Sequence, residues 1–391
     1  MSVASAPPAE GLVERAAALV PLLREKAMAT EAGRRVPPEH FDALSEAGIL
    51  KMMAPKRFGG YEADFQTQCD ALAELARGCP STSWVATILS AMAWLAGGFP
   101  DEAQEEIYAT RDPRISGSFA PTGTSVRTEG GLVVNGRWGF NTGCHGAQWT
   151  ILNTILQTDD GDGPPICVIV RTSELTILDD WYASGMAGTG SNTVVAEDVF
   201  VPAHRSVLLP EMVEGRYPER HNSDNAYANY PLVPVLIVNA GGTPVGTARG
   251  ALDAFMDRLP GRPITFTNYL SQAEAPVTHL QLGEAALKIE SADAHVRRAC
   301  QILDGHPGGP MSLEARIKCR AHISYSTRLA RESVDTLFAA SGASAIQPHV
   351  PIQRFQRDIQ ALSNHAIMSP STTTELYGRF LCGLEPNTTL V

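Results

Sequence analysis

Apolar and polar positions along the chain fall into three zones of different period. From about residue 9 to 110 the spacing is helical: Leu12, Ala16, Leu19, Val20, Leu23 and Ala27 form one stripe on a single helix face. Further helices are expected at residues 39–47, after Pro37-Pro38 and before Gly48, and at 65–77, closed by Gly78. A fourth starts near Ser81, with Trp84, Ile88, Met92 and Leu95 on one side. Between about 113 and 207 the pattern becomes short β-rich runs at 115–120, 132–138, 150–156, 166–170, 175–178 and 193–201. Glu129-Gly130-Gly131 and Asn135-Gly136 supply turn signals. Six short strands with no helix between them predict an antiparallel barrel or sandwich. Residues 208–235 read as a loop rich in Pro, Asn, Tyr and charge, of a length that is usually either disordered or functional. Helical spacing returns at 238–259, 269–303, 312–340 and 352–381. The pattern predicts an α+β fold in three parts: an N-terminal helical domain (1–112), a central β domain (113–210), and a loop with a C-terminal helical bundle (211–391).

Composition narrows the function. With 44% apolar and 19% charged residues the chain reads as an ordinary soluble globular protein. A net charge of -11 argues against nucleic acid, since phosphate binding needs clustered Lys and Arg. The 7 cysteines form no CxxC pair and no metal-ligand spacing, so no metal site is expected, and scattered thiols read as a reducing, cytoplasmic setting. The first residues, MSVASAPPAEG, lack the basic and apolar regions of a signal peptide. The most apolar stretch, 84–99, is about one turn too short for a membrane span, contains Thr87 and Ser90, and is expected to be a buried core helix.

Five motifs in order carry a resemblance. These are Ala54-Pro55-Lys56-Arg57-Phe58-Gly59-Gly60 after Ala47-Gly48-Ile49, Gly136-Arg137-Trp138-Gly139-Phe140-Asn141-Thr142-Gly143, Asp198-Val199-Phe200-Val201-Pro202, Ser341-Gly342-Ala343, and Arg354-Phe355-Gln356-Arg357-Asp358. Over essentially its whole length the chain resembles the acyl-CoA dehydrogenase superfamily, which implies helices, a central β domain and a C-terminal four-helix bundle. Ser116-Gly117-Ser118-Phe119-Ala120-Pro121, Gly188-Thr189-Gly190-Ser191-Asn192-Thr193 and Pro351-Ile352-Gln353-Arg354-Phe355 resemble the flavin-dependent monooxygenase branch. That branch holds the secosteroid hydroxylases and the oxygenase component of 4-hydroxyphenylacetate hydroxylase.

A missing carboxylate decides between the branches. Dehydrogenases remove a substrate proton with a Glu shortly after the Arg-Asp motif, yet residues 359–369 contain no acid and Glu375 is the next. Losing a positioned base costs about 10²- to 10⁴-fold in rate. His365 stands in that stretch, in the place of a histidine that the resemblance assigns to proton handling at the oxygenating flavin. The resemblance further implies Thr142 at flavin N5, Phe140 against the ring, Asn141 beside it, and Gly190 and Ser191 in a turn bordering the flavin. Ser118 and Ser116 lie on the strand nearest the flavin and substrate edge, and Arg262 with Phe266 resembles the pair that grips a neighbouring subunit's cofactor phosphates. Gly188-Thr189-Gly190-Ser191 precedes a strand and misses the dinucleotide Gly-x-Gly-x-x-Gly pattern, so a Rossmann reading fails. Met92 stands where phenol hydroxylases carry a His, and Tyr230 belongs to a tyrosine-rich loop that either shapes the pocket or simply packs.

The implied activity is a two-component monooxygenase. FADH2 or FMNH2 from a separate NAD(P)H:flavin reductase would react with O2 to a C4a-hydroperoxide, whose distal oxygen enters an aromatic or polycyclic substrate. A homotetramer is implied as well. An acyl-CoA dehydrogenase and an N-oxygenase of the nitroso synthase type remain open on the sequence.

Overall fold

The computed structural model describes residues 10–218, 221 and 226–391. The first nine residues, on which the signal-peptide reading rests, and part of the 208–235 loop lie outside the described residues.

The N-terminal stripe folds as two helices, α1 (Leu12–Ala18) and α2 (Val20–Ala32), instead of one. Pro21, in the first turn of α2, has no N–H to continue the ladder of α1, so the chain breaks at Leu19 while Leu12, Ala16, Leu23 and Ala27 stay buried. Then follow α3 (Pro38–Glu46), α4 (Phe65–Gly78), α5 (Pro80–Ala96) and α6 (Asp101–Tyr108). Asp64 caps α4 by accepting from Thr67 N at 2.8 Å. The α5 helix is buried almost all round, as its composition predicts, and its hydroxyls bond within the core: Thr87 Oγ1 to Ser83 O at 2.9 Å and Ser90 Oγ to Ala86 O at 2.7 Å.

The β zone holds β1 (Ile115–Thr128), β2 (Gly131–Trp138), β3 (Trp149–Thr158), β4 (Gly161–Arg171), β5 (Thr176–Ile177), β6 (Val194–Pro202) and β7 (Ser206–Leu208). They form one sheet in the order β5-β6-β2-β1-β3-β4-β7. The central β domain is as expected, with one change of direction: β1 and β3 run parallel, so the sheet is mixed. The β1–β2 hairpin occupies one edge of β1. The chain then crosses back through residues 139–148 and lays β3 on the free edge in the same sense as β1. Alternation sends Ile115, Ile151 and Ile169 into the helical core, while Leu152, Val168 and Val170 join a second core with Trp138 and Val194.

After α7 (Leu209–Val213) come α8 (Leu232–Asn239), α9 (Gly242–Arg258), α10 (Pro276–Asp304), α11 (Leu313–Ala340), α12 (Pro351–Ser363) and α13 (Pro370–Leu381). Helices α9 to α12 pack as the C-terminal bundle, with α8 and α13 against α11. The expected helix at 269–303 starts later because Pro276 opens it, leaving residues 259–275 as an excursion that carries Arg262 and Phe266. The expected helix at 352–381 is cut at 364–369, where Pro370 restarts it. That break places His365 in a turn.

Candidate active site

Four pieces of chain meet beside α5: the 139–143 segment after β2, the 184–192 turn before β6, the turn after α12, and β1. Gly143 sits at φ 73° with its Cα pressed on α5, since a Cβ there would lie 3.0 Å from Val85 Cγ1. One residue back on the same helix, the Trp84 ring meets His365 edge-on at 5.3 Å between centroids. The loop bearing Thr142 and the turn bearing His365 therefore both rest on the first two turns of α5.

The 139–143 and 184–192 segments are joined by backbone and hydroxyl bonds. Asn141 N donates to Asn192 O at 3.2 Å, and Gly143 N to Thr189 O at 3.1 Å. Thr142 Oγ1 and Ser191 Oγ are 2.8 Å apart, Ser191 Oγ and Thr189 Oγ1 2.7 Å, and Thr189 Oγ1 donates to Met186 O at 2.8 Å. Gly190, in the left-handed region at φ 55°, turns the chain between Thr189 and Ser191. Phe140, at φ 57°, projects a ring that is 77% exposed and touches Trp181 edge-on. The Asn141 side chain is enclosed, and neither its oxygen nor its nitrogen has a protein partner among the described residues, a demand that water or a bound polar group would meet.

Helix α12 holds the second segment in place. Asp358, buried to 2% exposure, accepts from Met186 N at 2.6 Å. Burial pushes its carboxyl up to about 6, against the pull of that N–H and of Arg354 one turn earlier. Arg357 donates to Ser184 O at 2.7 Å and pairs with Glu31 at 2.5 Å. Between these anchors Gly185 has no room for a side chain: a Cβ would lie 2.0 Å from Arg357 O. Gly185→Ala is therefore expected to push the turn off α12 and cost about 2–3 kcal/mol, the range for overpacking against fixed backbone, read as a lower midpoint in urea unfolding.

His365 is a second titratable group of the site. Desolvation by the surrounding protein pushes its pKa down to about 4, so it is a neutral imidazole at ordinary pH, and part of the residue stays open to solvent. Glu375 does not reach this place: it is exposed on α13, beside a surface groove of about 540 Å³ lined by Arg328, Arg331 and Pro370.

The other sequence-derived candidates divide. Ser118 Oγ donates to Gly139 O at 3.2 Å and so ties β1 to the segment leading to Phe140. Ser116 is fully buried, its hydroxyl 2.9 Å from Thr150 Oγ1, which in turn meets Thr172 Oγ1 at 2.9 Å; it belongs to the interior of the sheet. Met92 packs on the opposite face of β1, where a Cβ on Gly117 would lie 2.6 Å from its sulfur. Tyr230 is buried among Phe65, Tyr227 and His306, with centroids 5.7, 6.0 and 5.9 Å away, a packing role. Arg262 Nη2 donates to Ser341 O, and Arg258 Nη2 donates to Ser344 Oγ at 3.1 Å, so two guanidiniums gather at the Ser341-Gly342-Ala343 motif. Phe266 is wholly exposed. Sequence reasoning misses Trp84 as the ring against His365 and Thr189 as a partner of Ser191. Both are in view, Trp84 in the α5 stripe and Thr189 in the quoted turn, but neither signal says which neighbour the side chain meets.

Family models agree with this architecture. The acyl-CoA dehydrogenase N-terminal domain matches residues 16–111 and the C-terminal domain residues 239–370. The chain belongs to the acyl-CoA dehydrogenase family. It is 34% identical over 388 residues to the oxygenase component of the FADH(2)-dependent resorcinol hydroxylase of a Rhizobium species, covering 96% of this chain and 95% of that one. It is 32% identical to HsaA, the oxygenase subunit of a flavin-dependent monooxygenase of Rhodococcus jostii, covering 97% and 100%. The crystal structure of XiaF from a Streptomyces species, in complex with FADH2 and glycerol, superimposes with a TM-score of 0.91 at 28% identity, covering 97% of each chain. Within the family the chain is a flavin-dependent monooxygenase, on the branch of those oxygenase components.

Proposed function

We propose that this chain inserts one oxygen atom of O2 into an aromatic or polycyclic substrate, using reduced flavin delivered by a separate NAD(P)H:flavin reductase. What carries the reading is the stretch after Asp358: no acid between 359 and 369, and a neutral, open-faced His365 against Trp84. The relatives named above supply the class of cofactor, of partner and of substrate.

The residues present fit a flavin ring. Phe140 offers an uncovered aromatic face, Thr142 and Ser191 offer hydroxyls at a ring edge, and the Asn141 amide lacks a partner among the described residues. When bound, reduced flavin supplies the activation of O2. The chain's own residues do the rest. Phe140, Asn141, Thr142, Gly190 and Ser191 hold the ring. His365, neutral at working pH, accepts a hydrogen bond from a substrate hydroxyl at an imidazole nitrogen and so makes the ring carbon more electron-rich. Trp84, whose ring lies against His365, offers a substrate an apolar contact beside the imidazole.

Arg262, with Phe266, is proposed to reach the cofactor phosphates of a neighbouring subunit in a homotetramer. Val277, Leu280 and Leu287, exposed along α10, give such an assembly an apolar face. A panel of phenols, indoles and polycyclic phenols, supplied with reductase, NADH, FAD and O2, tests the reading. Hydroxylated product from at least one is expected. Flavin reduction by an acyl-CoA thioester without O2 would instead make the chain a dehydrogenase.

A further inference from the structure

Three hydroxyls lie in a row between the flavin-facing loop and a carbonyl, and the row has one proton arrangement that satisfies every contact. The Met186 carbonyl can only accept, so Thr189 spends its single hydroxyl proton there, at 2.8 Å. The 2.7 Å contact between Thr189 and Ser191 then needs the proton of Ser191. The 2.8 Å contact between Ser191 and Thr142 in turn needs the proton of Thr142. Backbone donors are spent too: Thr142 N bonds Phe140 O at 3.0 Å, Asn141 N bonds Asn192 O and Gly143 N bonds Thr189 O. Thr142 is left with oxygen lone pairs and no free donor.

We propose that the Thr142–Ser191–Thr189–Met186 chain fixes Thr142 as a hydrogen-bond acceptor and thereby selects reduced over oxidised flavin, Ser191 and Thr189 acting as positioning residues. Reduced flavin carries a hydrogen on N5 and needs an acceptor there. Oxidised flavin presents a lone pair at N5 and needs a donor, which the backbone of residues 141–143 and the Thr142 hydroxyl do not offer. The inference rests on the reading above that Thr142 meets the flavin N5 edge. Its consequence suits an enzyme fed by a separate reductase: the form able to react with O2 is held, and the spent form is released.

Anaerobic titration of the purified protein with dithionite-reduced FAD and, separately, with oxidised FAD measures the ratio of the two affinities. The wild type is expected to favour the reduced form. Ser191→Ala frees the Thr142 proton, and Thr189→Val frees the Ser191 proton to turn toward Thr142. Each is expected to narrow the ratio about tenfold, the worth of one hydrogen bond changing sign. The difference in midpoint potential between bound and free flavin should shrink to match. Thr142→Ser keeps the chain and the wild-type ratio. If Thr142→Val changes the affinities but Ser191→Ala and Thr189→Val leave the ratio at its wild-type value, the relay is wrong. If Thr142→Val alters neither affinity, Thr142 does not touch the flavin, and the site reading falls with the relay.

Discussion

Replacing His365 with Ala is expected to lower product formation about 10²- to 10⁴-fold while O2 consumption continues, the difference appearing as hydrogen peroxide. The imidazole sits in the turn between α12 and α13, its ring against Trp84 and part of the residue open to solvent. Among the described residues its side-chain nitrogens have no hydrogen-bond partner, which leaves them free for a substrate. Flavin binding should survive, because the Thr142, Ser191 and Asp358 bonds lie on other segments. His365→Asn keeps an amide oxygen able to accept a hydrogen bond, so it should recover part of the coupling lost in the Ala variant. The pH profile follows from the depressed pKa. A histidine lowered from 6.5 to about 4 is already neutral at pH 6, so the acid limb of kcat/KM assigned to it falls near pH 4 to 5 and not near 6.5. Product by chromatography and peroxide by a coupled peroxidase assay, from one reaction, check the prediction. Unchanged coupling in His365→Ala would remove the residue from the chemistry.

Asp358→Ala is expected to destabilise the chain by about 3–5 kcal/mol and to loosen the 184–192 turn enough to weaken flavin binding. Removing the carboxylate leaves the Met186 N–H without its 2.6 Å acceptor and takes away a negative charge one helical turn from the buried Arg354. Asp358→Asn separates the two losses, since its amide oxygen still accepts from Met186. It also tests the raised pKa. A carboxyl that titrates at about 6 folded and 3.8 unfolded binds its proton more readily in the folded state. Stability from this group is therefore present below pH 3.8 and is lost as pH rises toward 6. Relative to Asp358→Asn, the wild type should lose about 3 kcal/mol between pH 3 and 7, about 2 kcal/mol of it between pH 4 and 6, from 1.36 kcal/mol per pKa unit. Urea midpoints at a series of pH values, with FAD titrations alongside, measure both effects.

Much of the fold is legible in the sequence. The Leu12-to-Ala27 stripe, the buried α5 run and the alternating β runs report local burial, and each lies where its period places it. What periodicity does not encode is which edge of β1 receives β3, and so it does not reveal the parallel pairing. The long final helix is broken by Pro370, a signal present in the sequence but weaker than the apolar spacing on either side. At the site, Thr142 and Ser191 belong to separate motifs, and their 2.8 Å contact depends on two turns converging across about 50 residues of chain. Ser116 and Ser118 share one face of β1, and only their neighbours separate the sheet-interior hydroxyl from the one beside Phe140. Tyr230 is one of several loop tyrosines, and its ring partners Phe65 and His306 come from far along the chain.

Isotope incorporation tests the central claim most directly. The chain, supplied with chemically reduced FAD and a substrate from the phenol, indole and polycyclic panel, is mixed with ¹⁸O2 in ordinary water and the product weighed by mass spectrometry. The account predicts one ¹⁸O atom per product molecule and none when the label is placed in water. Product labelled from water, or substrate desaturated with no oxygen gained, would contradict it.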